Sequence, residues 1–230
     1  MTLLDLLFPP FCLGCGKWGK YICYDCLVKI KPLELQKCAV CNKPAINGMT
    51  HPNCLKTNTI DGSVAAFSYN GVIRKVITKL KYQFVFDLSQ TLARLTVASL
   101  KKNYSFLPIF QEKDWILIPA PLFKKRYNWR GFNQAETVGS EVAKLLKLPI
   151  CNDILIRNRS TIPQAELGRE RRLKNLRDVF SLNPNSKFII RNSKFILFDD
   201  VSTTGATLCE CAKVLKKAGV IKVWGITIAR

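Results

Sequence analysis

Phe195-Ile-Leu-Phe-Asp-Asp-Val-Ser-Thr-Thr-Gly-Ala-Thr207 opens with four apolar residues and ends in small polar ones. A run that short and that apolar predicts a strand buried on both faces. It delivers two consecutive carboxylates, Asp199 and Asp200, to the strand end. Adjacent carboxylates beside an apolar strand repel each other, and vicinal sugar hydroxyls, with or without Mg2+, would satisfy them. Val201, Ser202, Thr203, Thr204 and Gly205 then lead into a helix through Ala206 and Thr207. Backbone N–H groups and hydroxyls at the positive end of a helix dipole make a phosphate cradle. A helix capped by Thr203 or Thr204 is the simpler alternative, but capping leaves the paired aspartates unexplained.

Working outward, apolar strands alternate with amphipathic helices. Ser63–Tyr69, Trp115–Ile118, Ile154–Ile156, Val179–Leu182 and Val223–Ala229 read as strands. Ile73, Val76, Ile77 and Leu80 share one helical face, residues 86–102 form a second helix, and Asn133–Leu146 forms a third with Val138, Val142, Leu145 and Leu146 inward. Thr207–Ala218 places Leu208, Cys211, Ala212 and Leu215 on one face before Gly219. This alternation predicts an α/β domain with a mostly parallel sheet over residues 58–230, with ligands at the carboxyl ends of its strands.

Residues 1–57 have a different texture. Seven of the ten cysteines fall in the first 54 residues, which clusters them as metal ligands rather than as a disulfide framework. Cys12-x2-Cys15, Cys23-x2-Cys26, Cys38-x2-Cys41 and His51-x2-Cys54 are four similar pairs. A two-residue gap lets both side chains of a tight turn reach one cation, and four such ligands close a zinc tetrahedron with no open position. One or two structural Zn2+ ions are therefore expected. The short gap between Cys15 and Cys23 favours pairing Cys12, Cys15, Cys23 and Cys26, then Cys38, Cys41, His51 and Cys54; an interleaved arrangement stays open. Zinc would supply folding energy to a segment poor in core residues.

The 36 Lys and Arg against 16 Asp and Glu give a net charge of +20, which selects for anionic partners. No apolar run is long enough to span a bilayer, and the opening MTLLDLLFPPFC is too short for a signal peptide and lacks its basic start. A cytoplasmic protein is expected. Lys124, Lys125, Arg126 and Arg130 lie beside Tyr127, Trp129 and Phe132. Cations that follow phosphates and rings that stack on bases suit a single strand of nucleic acid. Aromatics that merely anchor a loop are the alternative for Trp129 and Phe132. Arg157, Arg159, Arg169, Arg171, Arg172 and Arg177 could surround a pyrophosphate or a nucleic-acid backbone. A solvated helix face would account for some of them.

The 195–207 segment resembles the phosphoribosyl-pyrophosphate (PRPP) motif of type I phosphoribosyltransferases. Together with Arg130-Gly-Phe-Asn-Gln-Ala135, Lys81-Tyr82, Ile118-Pro-Ala-Pro121, Pro163-Gln164, Arg172, Asn175 and the cysteine-rich leader, the chain resembles the ComF/GntX family over nearly its whole length. The resemblance implies a zinc-ribbon module over 1–57 and a type I phosphoribosyltransferase fold over 58–230. It implies ribose hydroxyls held by Asp199 and Asp200, a 5-phosphate on Thr203, Thr204, Gly205 and Thr207, and Mg2+ with PRPP. Lys81, Lys124, Lys125, Arg126, Arg130 and Arg172 would meet pyrophosphate or nucleic acid, and residues 159–178 would form a flap over the ribose site. The resemblance further implies natural transformation, with single-stranded DNA and the competence helicase or recombination machinery as partners and a peripheral contact with the inner membrane. A nucleotide-salvage phosphoribosyltransferase and a non-catalytic PRPP sensor are the alternatives.

Overall fold

The computed structural model describes residues 10–80, 86–112, 114–160, 176, 178–188 and 191–230. In chain order its strands are β1 (Gly62–Phe67), β2 (Trp115–Pro119), β3 (Leu155–Arg157), β4 (Phe180–Leu182), β5 (Lys194–Val201) and β6 (Lys222–Ala229). Its helices are α1 (Tyr24–Leu27), α2 (Gly71–Leu80), α3 (Phe86–Tyr104), α4 (Pro108–Gln111), α5 (Lys124–Arg130), α6 (Gln134–Leu146) and α7 (Ala206–Lys217).

Among the described residues, four strands form one sheet in the order β1-β6-β5-β2, and β3 pairs with β4 in a separate antiparallel ribbon. All three pairings of the main sheet are parallel, with Asp199 opposite Thr227 and Pro119 opposite Phe198. Alternation along β5 sorts the core into two layers. Ile196 and Phe198 join Val76, Ile77, Leu92, Val138 and Val142 from α2, α3 and α6. Phe195 and Leu197 join Leu208, Cys211, Ala212 and Leu215 of α7. Helices thus cover both faces, as a parallel sheet requires, and the expected α/β domain with a mostly parallel sheet behind a cysteine-rich module is the one observed.

Two local expectations change. Leu145 is 39% exposed rather than inward. Leu146 at the end of α6 and Leu148 beyond the left-handed Lys147 pack against the core in its place. Lys124–Arg130 is helical, although no apolar period announces it.

The module is built into the sheet edge. Gln36 is 2% exposed, and its side chain acts as a short piece of strand: Oε1 accepts from the Ala65 N–H at 3.0 Å and Nε2 donates to the Ala65 carbonyl at 2.9 Å. Nε2 also meets the Tyr104 hydroxyl at 3.0 Å. Replacing Gln36 by Leu strands two buried backbone groups of β1, each costing ~1–3 kcal/mol. Urea unfolding of Gln36→Leu is expected to show a loss of roughly 2–4 kcal/mol against the native chain.

Candidate functional site

At the carboxyl end of β5, Asp199 and residues 201–208 line a shallow hollow of ≈ 10 Å³. That is far below the ~300–1,000 Å³ of a typical small-molecule pocket, so the loop encloses no whole nucleotide. Gly205 occupies the N-cap position with φ 79°, and no side chain caps α7. Thr204 Oγ1 takes only a long 3.4 Å contact from the Ala206 N–H, so capping by Thr203 or Thr204 does not describe this helix start. The Thr203, Thr204 and Gly205 N–H groups have no acceptor among the described residues. Ser202 is buried, and its hydroxyl has no partner there either. A buried hydroxyl normally finds a partner. That hydroxyl and the three amides of the loop leading into the twelve-residue α7 fit an oxyanion.

The two aspartates divide the strand end between them. Asp199 lines the hollow and accepts the Asp200 N–H at 2.9 Å. Asp200 accepts the Val201 N–H at 2.8 Å and, by the pleat, leaves the strand on the opposite side. Thr203 is exposed, Thr204 is buried, and Thr207 is half-buried at the rim. Of the arginines that could surround a pyrophosphate, Arg157 on β3 lies in the field of Asp199. Burial first, and Arg126 second, lower its pKa from the usual value, while Asp199 acts the other way. Its guanidinium also stands 5.6 Å from the centre of the Phe180 ring.

The basic stretch forms an exposed helix. Lys124 and Lys125 are exposed, whereas Arg126 and Arg130 are half-buried. Trp129 is 69% exposed and Tyr127 43%, so these rings do not anchor the helix to the core; Phe132 is half-buried. Arg130 sits 6.0 Å from the Trp129 ring centre, and its Nη1 donates to Gln134 Oε1 at 3.1 Å. Gln134 Nε2 is buried with no acceptor among the described residues. In the sequence it stands within the Arg130–Ala135 motif, but a glutamine at a helix start carries no signature of a role of its own. Lys81, Arg172 and most of the expected 159–178 flap lie outside the described residues.

The eight expected metal ligands come together as two sets, Cys12, Cys15, Cys23, Cys26 and Cys38, Cys41, His51, Cys54, each with its ligand atoms within 4.8 Å of one another. Ligands about 2.3 Å from one zinc stand about 3.8 Å apart, and Cys15 and Cys23 sulfurs are separated by 3.6 Å. Both sets are built alike. A knuckle turns through a left-handed residue, Gly16 or Asn42, and a helical turn brings the second pair, on α1 or on Pro52–Cys54. In the first set, burial opposes ionisation of Cys12, but N–H donors of Cys23, Cys15 and Gly14 outweigh it and bring the thiol to about 6. Burial, then the neighbouring sulfurs, push Cys26 up to about 12. The second set repeats this pattern: amides bring Cys38 to about 7 against burial, while burial and then Cys41 push Cys54 up to about 11. Each cage readies one thiolate and resists the next, a conflict that a dication at its centre removes. His51 fits the same chemistry. Its Nε2 is 2.8 Å from the Pro44 carbonyl, which can only accept, so Nδ1 faces Cys41 at 3.2 Å as the free nitrogen.

Fold and site define a two-cage metal-ribbon module joined to an α/β domain with a parallel central sheet. The family model for the double zinc ribbon domain matches residues 3–55. Competence protein F of Haemophilus influenzae is 34% identical over 215 residues, covering 90% of this chain and 90% of that protein. The DNA utilization protein YhgH of Salmonella typhi is 26% identical over 235 residues, covering 95% and 97%. Among solved structures, a hypoxanthine phosphoribosyltransferase from Staphylococcus aureus (tetragonal form) has a TM-score of 0.37 at 15% identity, covering 66% of this chain and 69% of that one. The chain belongs to the ComF family.

Zinc in both cages sets a count. Native mass spectrometry is expected to find about two zinc ions per chain, and the double variant Cys23→Ala with Cys26→Ala about one.

Proposed function

We propose that the chain holds the ribose 5-phosphate portion of PRPP, with Mg2+, at the β5–α7 junction and binds single-stranded DNA along α5, acting in the uptake and handling of transforming DNA. Residues 1–57 serve as the ribbon module and 58–230 as the ligand-binding domain, in the cytoplasm. The carrying observation is the set of unpartnered donors at the head of α7: the Thr203, Thr204 and Gly205 amides and the Ser202 hydroxyl. A phosphate supplies the acceptors that these groups lack, and Asp199 beside them offers a carboxylate to ribose hydroxyls or to the metal that accompanies them.

The DNA half rests on α5. Exposed Lys124 and Lys125 track a phosphate backbone, and exposed Tyr127 and Trp129 offer faces to unstacked bases. The relatives named for competence and for DNA utilization support a role in DNA handling. The helicase or recombination proteins that receive a transported strand are the protein partners expected for such a role.

Loss of both carboxylates, Asp199→Ala with Asp200→Ala, is expected to weaken PRPP binding by at least about 100-fold in calorimetry, at about 1.4 kcal/mol for each factor of ten. Retained affinity removes the site. Trp129→Ala is expected to lose about 1–3 kcal/mol of oligonucleotide binding. Lys124→Ala with Lys125→Ala is expected to reduce the salt slope by about 0.7 for each phosphate that is no longer neutralised. A salt response unchanged from that of the native chain counts against α5 as the interface.

A further inference from the structure

The second ribbon knuckle touches the phosphate loop directly. A Cβ added at Gly205 would stand 2.5 Å from the Ala39 carbonyl oxygen and 3.0 Å from the Ala39 Cα. Ala39, between Cys38 and Cys41, is 1% exposed and shares a core with Ala206 and Leu208 of α7. Its carbonyl accepts the Cys209 thiol at 3.5 Å. The Arg230 guanidinium clasps both flanks of the same turn: Nη1 donates to the Lys37 carbonyl at 3.1 Å, and Nη2 donates to Asn42 Oδ1. The first knuckle packs elsewhere. Gly14 lies against Val72, and its carbonyl accepts from Lys75, both on α2.

We infer that the second metal cluster holds the phosphate loop in its binding geometry, with Ala39 as the positioning residue. The inference rests on the reading of that loop as a phosphate cradle. Three loop amides bind one anion well only if the loop is already in place; a loop that must be ordered on binding loses affinity. Gly205 holds a left-handed conformation with no side chain, so little within the loop fixes it. The wall behind it is the Cys38–Cys41 turn, and that turn is rigid when both sulfurs share a cation. Metal at the second cluster should therefore raise affinity at the cradle, and metal at the first should not.

Calorimetric titration with PRPP and Mg2+ tests this. His51→Ala with Cys54→Ala removes the second cluster and keeps the Cys38–Cys41 turn; Cys23→Ala with Cys26→Ala removes the first. The second-cluster variant is expected to bind about tenfold or more weakly, and the first-cluster variant within about twofold of the native chain. Equal affinity in both variants overturns the inference. If the native chain takes no PRPP, the cradle reading fails, and hydrogen exchange at amides 203–206 decides the coupling by itself. Faster exchange in the second-cluster variant alone supports it; unchanged exchange refutes it. Arg230→Gln keeps all eight ligands and covers a second-cluster variant that does not fold. With both clusters filled it should still speed exchange at 203–206, and no change there also refutes the inference.

Discussion

Everything at the candidate site depends on one close approach, that of the Gly205 backbone to Ala39. The loop must turn from a buried strand into a helix within a few residues, and Gly205 does so in a left-handed conformation. The neighbouring carbonyl also leaves no room for a Cβ. Two independent constraints thus demand glycine at one position, one from backbone torsion and one from the ribbon behind it. The ribbon is therefore part of the wall of the site and not an appendage carried beside it.

The same integration appears along the sheet edge. Gln36 supplies the partners that Ala65 would otherwise seek from another strand, and Thr50 donates through its hydroxyl to the Ile60 carbonyl at 2.6 Å. Asp61, next to β1, accepts the Val223 N–H and pairs with Lys216 at 2.8 Å. These contacts run through residues near the expected junction at 57 and 58. The metal cages give the first segment its shape, and the sheet gives it a fixed place.

The two sets of metal-ligand residues and the loop between β5 and α7 were legible in the sequence because each is local. A two-residue gap between cysteines, or two aspartates followed by a threonine-glycine turn, states its chemistry within a few positions. The parallel sheet was legible because Phe195–Phe198 and Val223–Ala229 are apolar on both faces. What was not legible is long-range or aperiodic. Nothing in the residues around Ala39 announces Gly205, and no rule of patterning makes a glutamine side chain stand in for a strand. The α5 helix escaped notice because its rings and cations face outward, so the apolar period that marks a helix against a core is missing. Leu145 was misassigned because periodicity gives the face of a helix but not where its contact with the core stops.

β6 lies in the middle of the sheet, between β1 and β5, yet follows both in the chain. Gly62 pairs with Trp224 and Phe67 with Ala229, contacts of large sequence separation. A ribosome delivers β1 long before the strand that pairs with it, and the intervening chain closes a large loop at an entropic cost before any ladder forms. Assembly of the sheet is consequently a late and slow step. Until it is complete, β1 has an open side capable of pairing with a stranger. A nascent chain of this design has reason to need a chaperone, and truncations before β6 should aggregate rather than fold.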